Sequence, residues 1–202
     1  MTQAVPSQRK TMVMVIGTGG RSTGWLTPEA MQAAEDVGRL LAERGVVVMT
    51  GGGSGIMEAA LKGAAEAGGI TVGIVPGMDK TVVNPYCQIP ITTGIGTMRN
   101  WLELRACDAV IMVSGGIGTL NELTIAMDER IIPAVVLEGT GGWSDRIREI
   151  AYDGKYMDAR RTVPVHFADS PEKAVELTLE LAAERRKKEE EQAATAKREA
   201  IR

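Results

Sequence analysis

The stretch "VVVMTGGGSGIMEAALKGAAEAGG" (Val46–Gly69) decides the fold. It opens with a short apolar run, the pattern of a strand buried on both faces. "GGGSG" (51–55) then breaks the run. Ile56 to Ala67 follows as a helix, ended by Gly68 and Gly69. If such a strand, loop and helix unit recurs along the chain, it builds a parallel sheet covered on both faces.

It recurs. "MVMVI" (12–16) is a second such strand, followed by the glycine loop "GTGGRSTG" (17–24) and a helix from Pro28 to Arg44. Thr27 is placed to cap that helix, with Pro28 as its first residue and Glu29 a favourable charge in its first turn. Gly45 stops it. "ITVGIV" (70–75), "AVIMV" (109–113), "PAVVL" (133–137) and "TVPVHF" (162–167) read as further strands, with a short extended piece near "QIPIT". Helices are expected over 97–106, 119–129 and 143–151, and from Ser170 onward. The expected architecture is a single α/β domain over residues 12–183, a doubly wound and mostly parallel sheet. A polar lead-in (1–11) precedes it. A charged tail (184–202), helical or disordered, follows, with the weaker basic-before-acidic order in pairs such as Arg185/Glu189.

In such sheets ligands bind outside the carboxyl ends of the strands, where the strand order reverses. Most of the 24 glycines fall in clusters at 17–24, 51–55, 115–118 and 139–142. The first three follow strands, so all three belong to that edge. A glycine loop leading into a helix offers backbone N–H groups, at the positive end of the helix dipole, to an anion.

Composition narrows the ligand. A net charge of −3 and a pI near 5.4 give no general attraction to nucleic acid or to an anionic membrane. Apolar runs are too short to span a bilayer and no signal-peptide pattern opens the chain, so a cytoplasmic location is expected. Cys87 and Cys107 have no metal-like spacing and are expected as reduced thiols. His166 is the only histidine, which excludes mechanisms needing two and any histidine-rich metal site; no metal is expected. It reads as a packed edge residue.

Familiar phosphate motifs do not fit. Gly17 and Gly19 resemble half of a dinucleotide fingerprint, but Ser22 stands at the third glycine position. The second strand ends in Thr50 and Gly51 instead of an acidic residue, which argues against a nicotinamide cofactor. No Gly-Lys-Ser/Thr follows any cluster, so there is no P-loop.

"SGGIGTLNE" (Ser114–Glu122) has two readings. Thr119 and Glu122 stand at capping-box spacing, so Glu122 can serve simply to start a helix. The glycines ahead of it point instead to a ligand crevice. Arg99 and Glu103, four apart, read as a surface ion pair. Trp101 reads as packing, and Asp108 as a turn carboxylate.

Together, "GGGSGIMEAALKGAAEAGG", "NPYCQIPITTGIGTMRN" and "SGGIGTLNE" resemble, over about residues 12–168, the family once mislabelled lysine decarboxylases. Its enzymes are the Lonely-Guy-type cytokinin riboside 5′-monophosphate phosphoribohydrolases, with a Pro-Gly-Gly-x-Gly-Thr-x-x-Glu motif. A sister branch of Rossmann-like proteins, including molybdenum cofactor carrier proteins, is the closer match. The resemblance implies catalytic roles for Arg99 and Glu122 at an N-glycosidic bond. It implies phosphate binding by Gly51, Gly52, Gly53, Ser54, Gly55, Gly115, Gly116, Gly118 and Thr119, with Gly17, Thr18, Gly19 and Asn100 also at the ligand. No cofactor is required for hydrolysis; in the carrier reading the molybdenum cofactor is the carried ligand. A homodimer or homotetramer is implied as well. Two departures stand out: Ser114 replaces the motif's proline, and Asn100 replaces the lysine of the hydrolases' Arg-Lys pair.

Overall fold

The computed structural model describes residues 9–20, 23–128 and 132–199. Residues 1–8 of the lead-in, Arg21 and Ser22 of the first glycine loop, Glu129 and the last three residues of the tail lie outside the described residues.

The apolar runs read from the sequence become strands, the five central ones because their residues are buried on both faces, while the two edge strands are only partly covered. Among the described residues these are β1 (Met12–Gly17), β2 (Val47–Thr50), β3 (Thr71–Val75), β4 (Ile89–Thr92), β5 (Ala109–Val113), β6 (Ala134–Leu137) and β7 (His166–Ala168). They form one sheet in the order β4-β3-β2-β1-β5-β6-β7. All six pairings are parallel. This is a single Rossmann-like α/β domain. The chain starts at the middle of the sheet, builds outward to β4, then returns to the other side of β1 and builds outward again. The order therefore reverses between β1 and β5.

The helices are α1 (Pro28–Glu43), α2 (Ile56–Glu66), α3 (Arg99–Ala106), α4 (Ile117–Asp128), α5 (Ile147–Ile150) and α6 (Pro171–Glu199). The two-residue period of a strand sends neighbours to opposite faces. Val13 and Val15 pack with Ala34, Leu41, Leu61 and Val175 of α1, α2 and α6. Met14 and Ile16 pack with Leu104, Leu123 and Ile147 of α3, α4 and α5. Thr27 caps α1 by accepting the Ala30 N–H at 3.1 Å, and Pro28 is its first residue. α1 and α2 cross closely because Gly38 and Gly63 lack side chains: added Cβ atoms would run into Ala60 O and Glu35 O respectively.

Besides one-residue shifts and the 97–106 helix, which is a 3-10 turn at Gly96–Met98 followed by α3, three boundaries differ from the sequence reading. The helix expected over 143–151 is a 3-10 turn at Gly142–Asp145 followed by the short α5. The last strand begins at His166 instead of 162, since Pro164 has no N–H for the ladder; it pairs with Tyr156 in an isolated antiparallel bridge. The third concerns α4 and bears on the site.

Residues 184–199 continue α6 without a break. Their start is fastened to the domain: Arg185 Nη1 donates to the carbonyls of Cys107 and Asp108 at 2.8 and 3.0 Å. The Asp108 carboxylate is buried, accepts the Met12 N–H at 2.9 Å, and pairs with Arg9 and with Arg186 at 3.5 Å. No helix among the described residues is long and apolar enough to cross a membrane.

Candidate functional site

A cavity of about 260 Å³ opens at the carboxyl ends of β1, β2 and β5, where the strand order reverses. Its wall brings together Gly17 and Gly19, Gly51, Arg99 and Asn100, then Gly116, Gly118, Thr119 and Glu122. A larger cleft of about 500 Å³ lies at the far edge of the sheet. There Arg148 is already held by Glu138 at 2.7 and 2.9 Å and stacked on Phe167 at 4.0 Å. The smaller cavity, not the larger cleft, is where the glycine loops meet.

The α4 start is the third corrected boundary. The helix begins at Ile117, two residues before the expected cap, with Leu120 N–H donating to Gly116 O. The N–H groups of Ile117, Gly118 and Thr119 are thus the orphan donors of the first turn. Thr119 is no N-cap, and Glu122 lies a turn further in. The capping-box reading fails. Glu122 is only 8% exposed, and it lines the cavity.

Other expected residues build the walls instead. Thr18 is buried; its Oγ1 lies 2.8 Å from Ser114 Oγ and accepts the Gly115 N–H at 2.9 Å. That N–H is therefore engaged inside the protein. Gly52 donates to Thr50 Oγ1 at 3.0 Å, and the carbonyls of Gly52 and Gly53 accept from Asn84 Nδ2 at 3.1 and 2.9 Å. Gly55 starts α2 with φ of 81°, and Ser54 is exposed. Of the 51–55 loop, only Gly51 reaches the cavity wall.

Gly51 matters for what it lacks. An added Cβ would stand 2.6 Å from Arg99 Nη1 and 2.7 Å from Nη2, so the guanidinium rests directly on the Gly51 backbone. Arg99 also forms an ion pair with Glu103. That pair is buried, not on the surface as the spacing alone suggests: Glu103 is 0% exposed. Apart from this pairing, neither Glu103 oxygen nor Arg99 Nη1 has a hydrogen-bond partner. Glu103 was not among the expected site residues, and its i,i+4 spacing to Arg99 was the only signal. Met57, Thr97 and Ile117, also on the cavity wall, carried none.

Electrostatics follow from burial. Desolvation pushes the Glu122 carboxyl up to about 7, with Arg99 opposing it through space. Desolvation also holds the Arg99 guanidinium below its ordinary value, offset in part by Glu122. Asn100, where the hydrolases have lysine, donates from Nδ2 to Asn121 Oδ1 at 2.8 Å and brings no charge. Among the described residues, no group of three or more His, Cys, Asp or Glu is placed to hold a metal ion.

The profile of the SLOG cluster4 family matches residues 10–175. The chain belongs to this family. As a SLOG cluster4 protein it is similar to two groups of relatives. A cytokinin riboside 5′-monophosphate phosphoribohydrolase of Mycobacterium marinum is 35% identical over 100 residues, 48% of this chain and 53% of that protein. The match thus spans about half of that relative's length. Among solved structures, the molybdenum cofactor binding protein of Rippkaea orientalis is 33% identical, with a TM-score of 0.71 over 85% of this chain and 96% of the other. The molybdenum cofactor carrier protein of Chlamydomonas reinhardtii is 30% identical, with a TM-score of 0.72 over 87% and 99%.

Proposed function

We propose that this SLOG cluster4 protein binds a phosphorylated, nucleotide-like ligand and hydrolyses the N-glycosidic bond of a nucleoside 5′-monophosphate. The observation that carries this reading is Glu122, a buried carboxyl on the cavity wall that caps no helix and sits near the Arg99 guanidinium. The phosphate fits the orphan N–H groups of Ile117, Gly118 and Thr119, where the α4 dipole favours negative charge. Gly17, Gly19, Gly51 and Asn100 line the rest. Gly52, Gly53, Ser54, Gly55, Gly115 and Thr18 contribute by shaping the loops.

The chemistry needs a carboxyl near the sugar. Water adds to the anomeric carbon as its bond to the base breaks, through an oxocarbenium-like state, giving ribose 5-phosphate and the protonated base. An ionised Glu122 stabilises the cation and takes the water proton; a neutral one first gives its proton to the departing base. Arg99 holds the phosphate or the base. Release of free base from a panel of nucleoside monophosphates, followed by chromatography, tests the reading. No release from any of them would overturn it.

A second reading has its own support. The carrier proteins align with almost the whole chain, the phosphoribohydrolase with about half of it, and Asn100 removes a cation that the hydrolases possess. In that reading the molybdenum cofactor, a phosphorylated pterin, is cargo in the same cavity, and mass spectrometry of the co-purifying ligand distinguishes the two. A homodimer or homotetramer belongs to either reading. Its proposed contact is the exposed apolar face of Met98, Trp101 and Leu102 on and beside α3, with Ile89 and Ile91 of the edge strand β4.

A further inference from the structure

We infer that Glu103 is a positioning residue: by taking Arg99 as its ion-pair partner it leaves Glu122 holding a proton, so Glu122 meets the ligand as a neutral acid. The inference rests on the reading of the cavity given above and specifies which of the two roles Glu122 plays.

One guanidinium can balance one carboxylate. Glu103 and Glu122 both lie against Arg99's surroundings, and the two have unequal claims on it. Glu103 is completely buried, its Oε1 pairs with Arg99, and neither oxygen has another partner among the described residues. Ionised without that partner, it would be an uncompensated charge in the core. Glu122 feels Arg99 only through space.

Among the described residues, Arg99 is the one cation that acts on Glu122. β1, β5 and β6 present Met14, Ile16, Met112, Ala134 and Val136 to α4. Asp145, on the turn packed beside α4, accepts the N–H groups of Gly139 and Gly141 at 2.6 and 3.0 Å. On α3 the facing polar group besides the Arg99–Glu103 pair is the neutral Asn100. Two ionised carboxylates on one cation would leave surplus negative charge where an anionic ligand must enter. A neutral Glu122 removes that repulsion and supplies the proton the departing base requires; the attacking water later returns one to it.

The test is a carboxyl titration of the full chain by NMR, with 13C-labelled glutamate side chains and Glu122 assigned by its loss in Glu122→Gln. In wild type, Glu122 is expected to titrate near neutrality. In Glu103→Gln, Arg99 is released toward Glu122, and the midpoint is expected to fall by at least one pH unit, a tenfold or greater loss of proton affinity. Glu103→Asp, which keeps the charge, is expected to restore most of it. An unchanged midpoint in Glu103→Gln overturns the inference. If that variant does not fold, Glu103→Met, which keeps the volume without the charge, takes its place under the same criterion; Glu122 ionising in the ordinary carboxylate range in wild type also overturns the inference. None of this needs a substrate, so failure of every nucleotide to react would sink the hydrolase reading and leave this result standing. Where base release is seen, kcat is expected to decline as pH rises past the same midpoint, and earlier in Glu103→Gln.

Discussion

Thr18 Oγ1 and Ser114 Oγ lie 2.8 Å apart, buried, across the seam between β1 and β5. The contact joins the loops that follow β1 and β5. It also accounts for the serine where the phosphoribohydrolase motif has proline. Ser114 has φ of 57°, its N–H donates to Thr140 Oγ1 at 2.8 Å, and its Oγ lies 3.0 Å from Trp25 O. A proline ring fixes φ near −65° and has no N–H.

Ser114→Pro is therefore expected to destabilise the protein by about 3 kcal/mol or more. Ser114→Gly accepts the positive φ and loses only the hydroxyl contacts, at roughly 1 kcal/mol. Urea denaturation of the two variants checks the order. A proline variant as stable as wild type would contradict the backbone described at this seam.

Glu122 couples stability to pH. Its carboxyl is pushed up to about 7 in the folded protein, above its unfolded value, so the folded state binds more protons between roughly pH 4.5 and 7. Stability is then expected to fall as pH rises through that window and to level off above it. Each pKa unit corresponds to about 1.4 kcal/mol, so the total is at most a few kcal/mol. Glu122→Gln removes the slope: the variant should match wild type near pH 5 and exceed it near pH 8 in denaturant melts. If the enzyme reading holds, the same substitution slows base release by about 10²–10³-fold.

Gly51→Ala tests the seat of the Arg99 guanidinium. The new methyl meets the Arg99 guanidinium and not a strained backbone, since Gly51 is not among the glycines with positive φ. Displacing one charge-assisted contact costs about 1.5–3 kcal/mol of binding, a tenfold or greater loss of affinity for a nucleoside monophosphate. Calorimetry should show that loss, and the melting temperature should fall with it, because the methyl also shifts Arg99 against the buried Glu103. Equal affinities would remove Arg99 from the ligand.

The start of the charged tail is structural. Ending the chain at residue 183 removes Arg185 from the Cys107 and Asp108 carbonyls and Arg186 from the Asp108 carboxylate. The expected cost is about 1–3 kcal/mol, because buried acceptors lose donors. Ending it after residue 192 keeps both arginines, and a change within about 0.5 kcal/mol is expected. Thermal melts of the two truncations compare them directly.

The layout of the fold was legible because each strand is a short apolar run and each glycine loop sits at its end. Thr27, Pro28 and Glu29 announced α1 for the same local reason: capping is a matter of neighbours in sequence. The site was legible only in part. Arg99 and Glu122 were expected together through resemblance, and the cavity does contain both. The α4 start was misread because glycines at 116 and 118 argue against helix by propensity, whereas the turn closes through Leu120 N–H to Gly116 O. The burial of Glu103 was invisible, since i,i+4 spacing looks alike on a wet face and a dry one.

Beginning the chain at the centre of the sheet has a consequence for synthesis. β1 can pair with β2 soon after α1 emerges, yet the contact that closes its other edge joins residues 96 apart, Thr18 and Ser114. At about 5–20 residues per second, that edge stays open on the ribosome for roughly 5–20 s. During this time β1 offers unpaired backbone groups to any passing strand. The crevice between β1 and β5 is therefore born late: a nascent chain that has not yet released β5 has its glycine loops but no place to hold a ligand. A small molecule that binds this crevice acts only on the finished seam, and cannot rescue chains that stall before it.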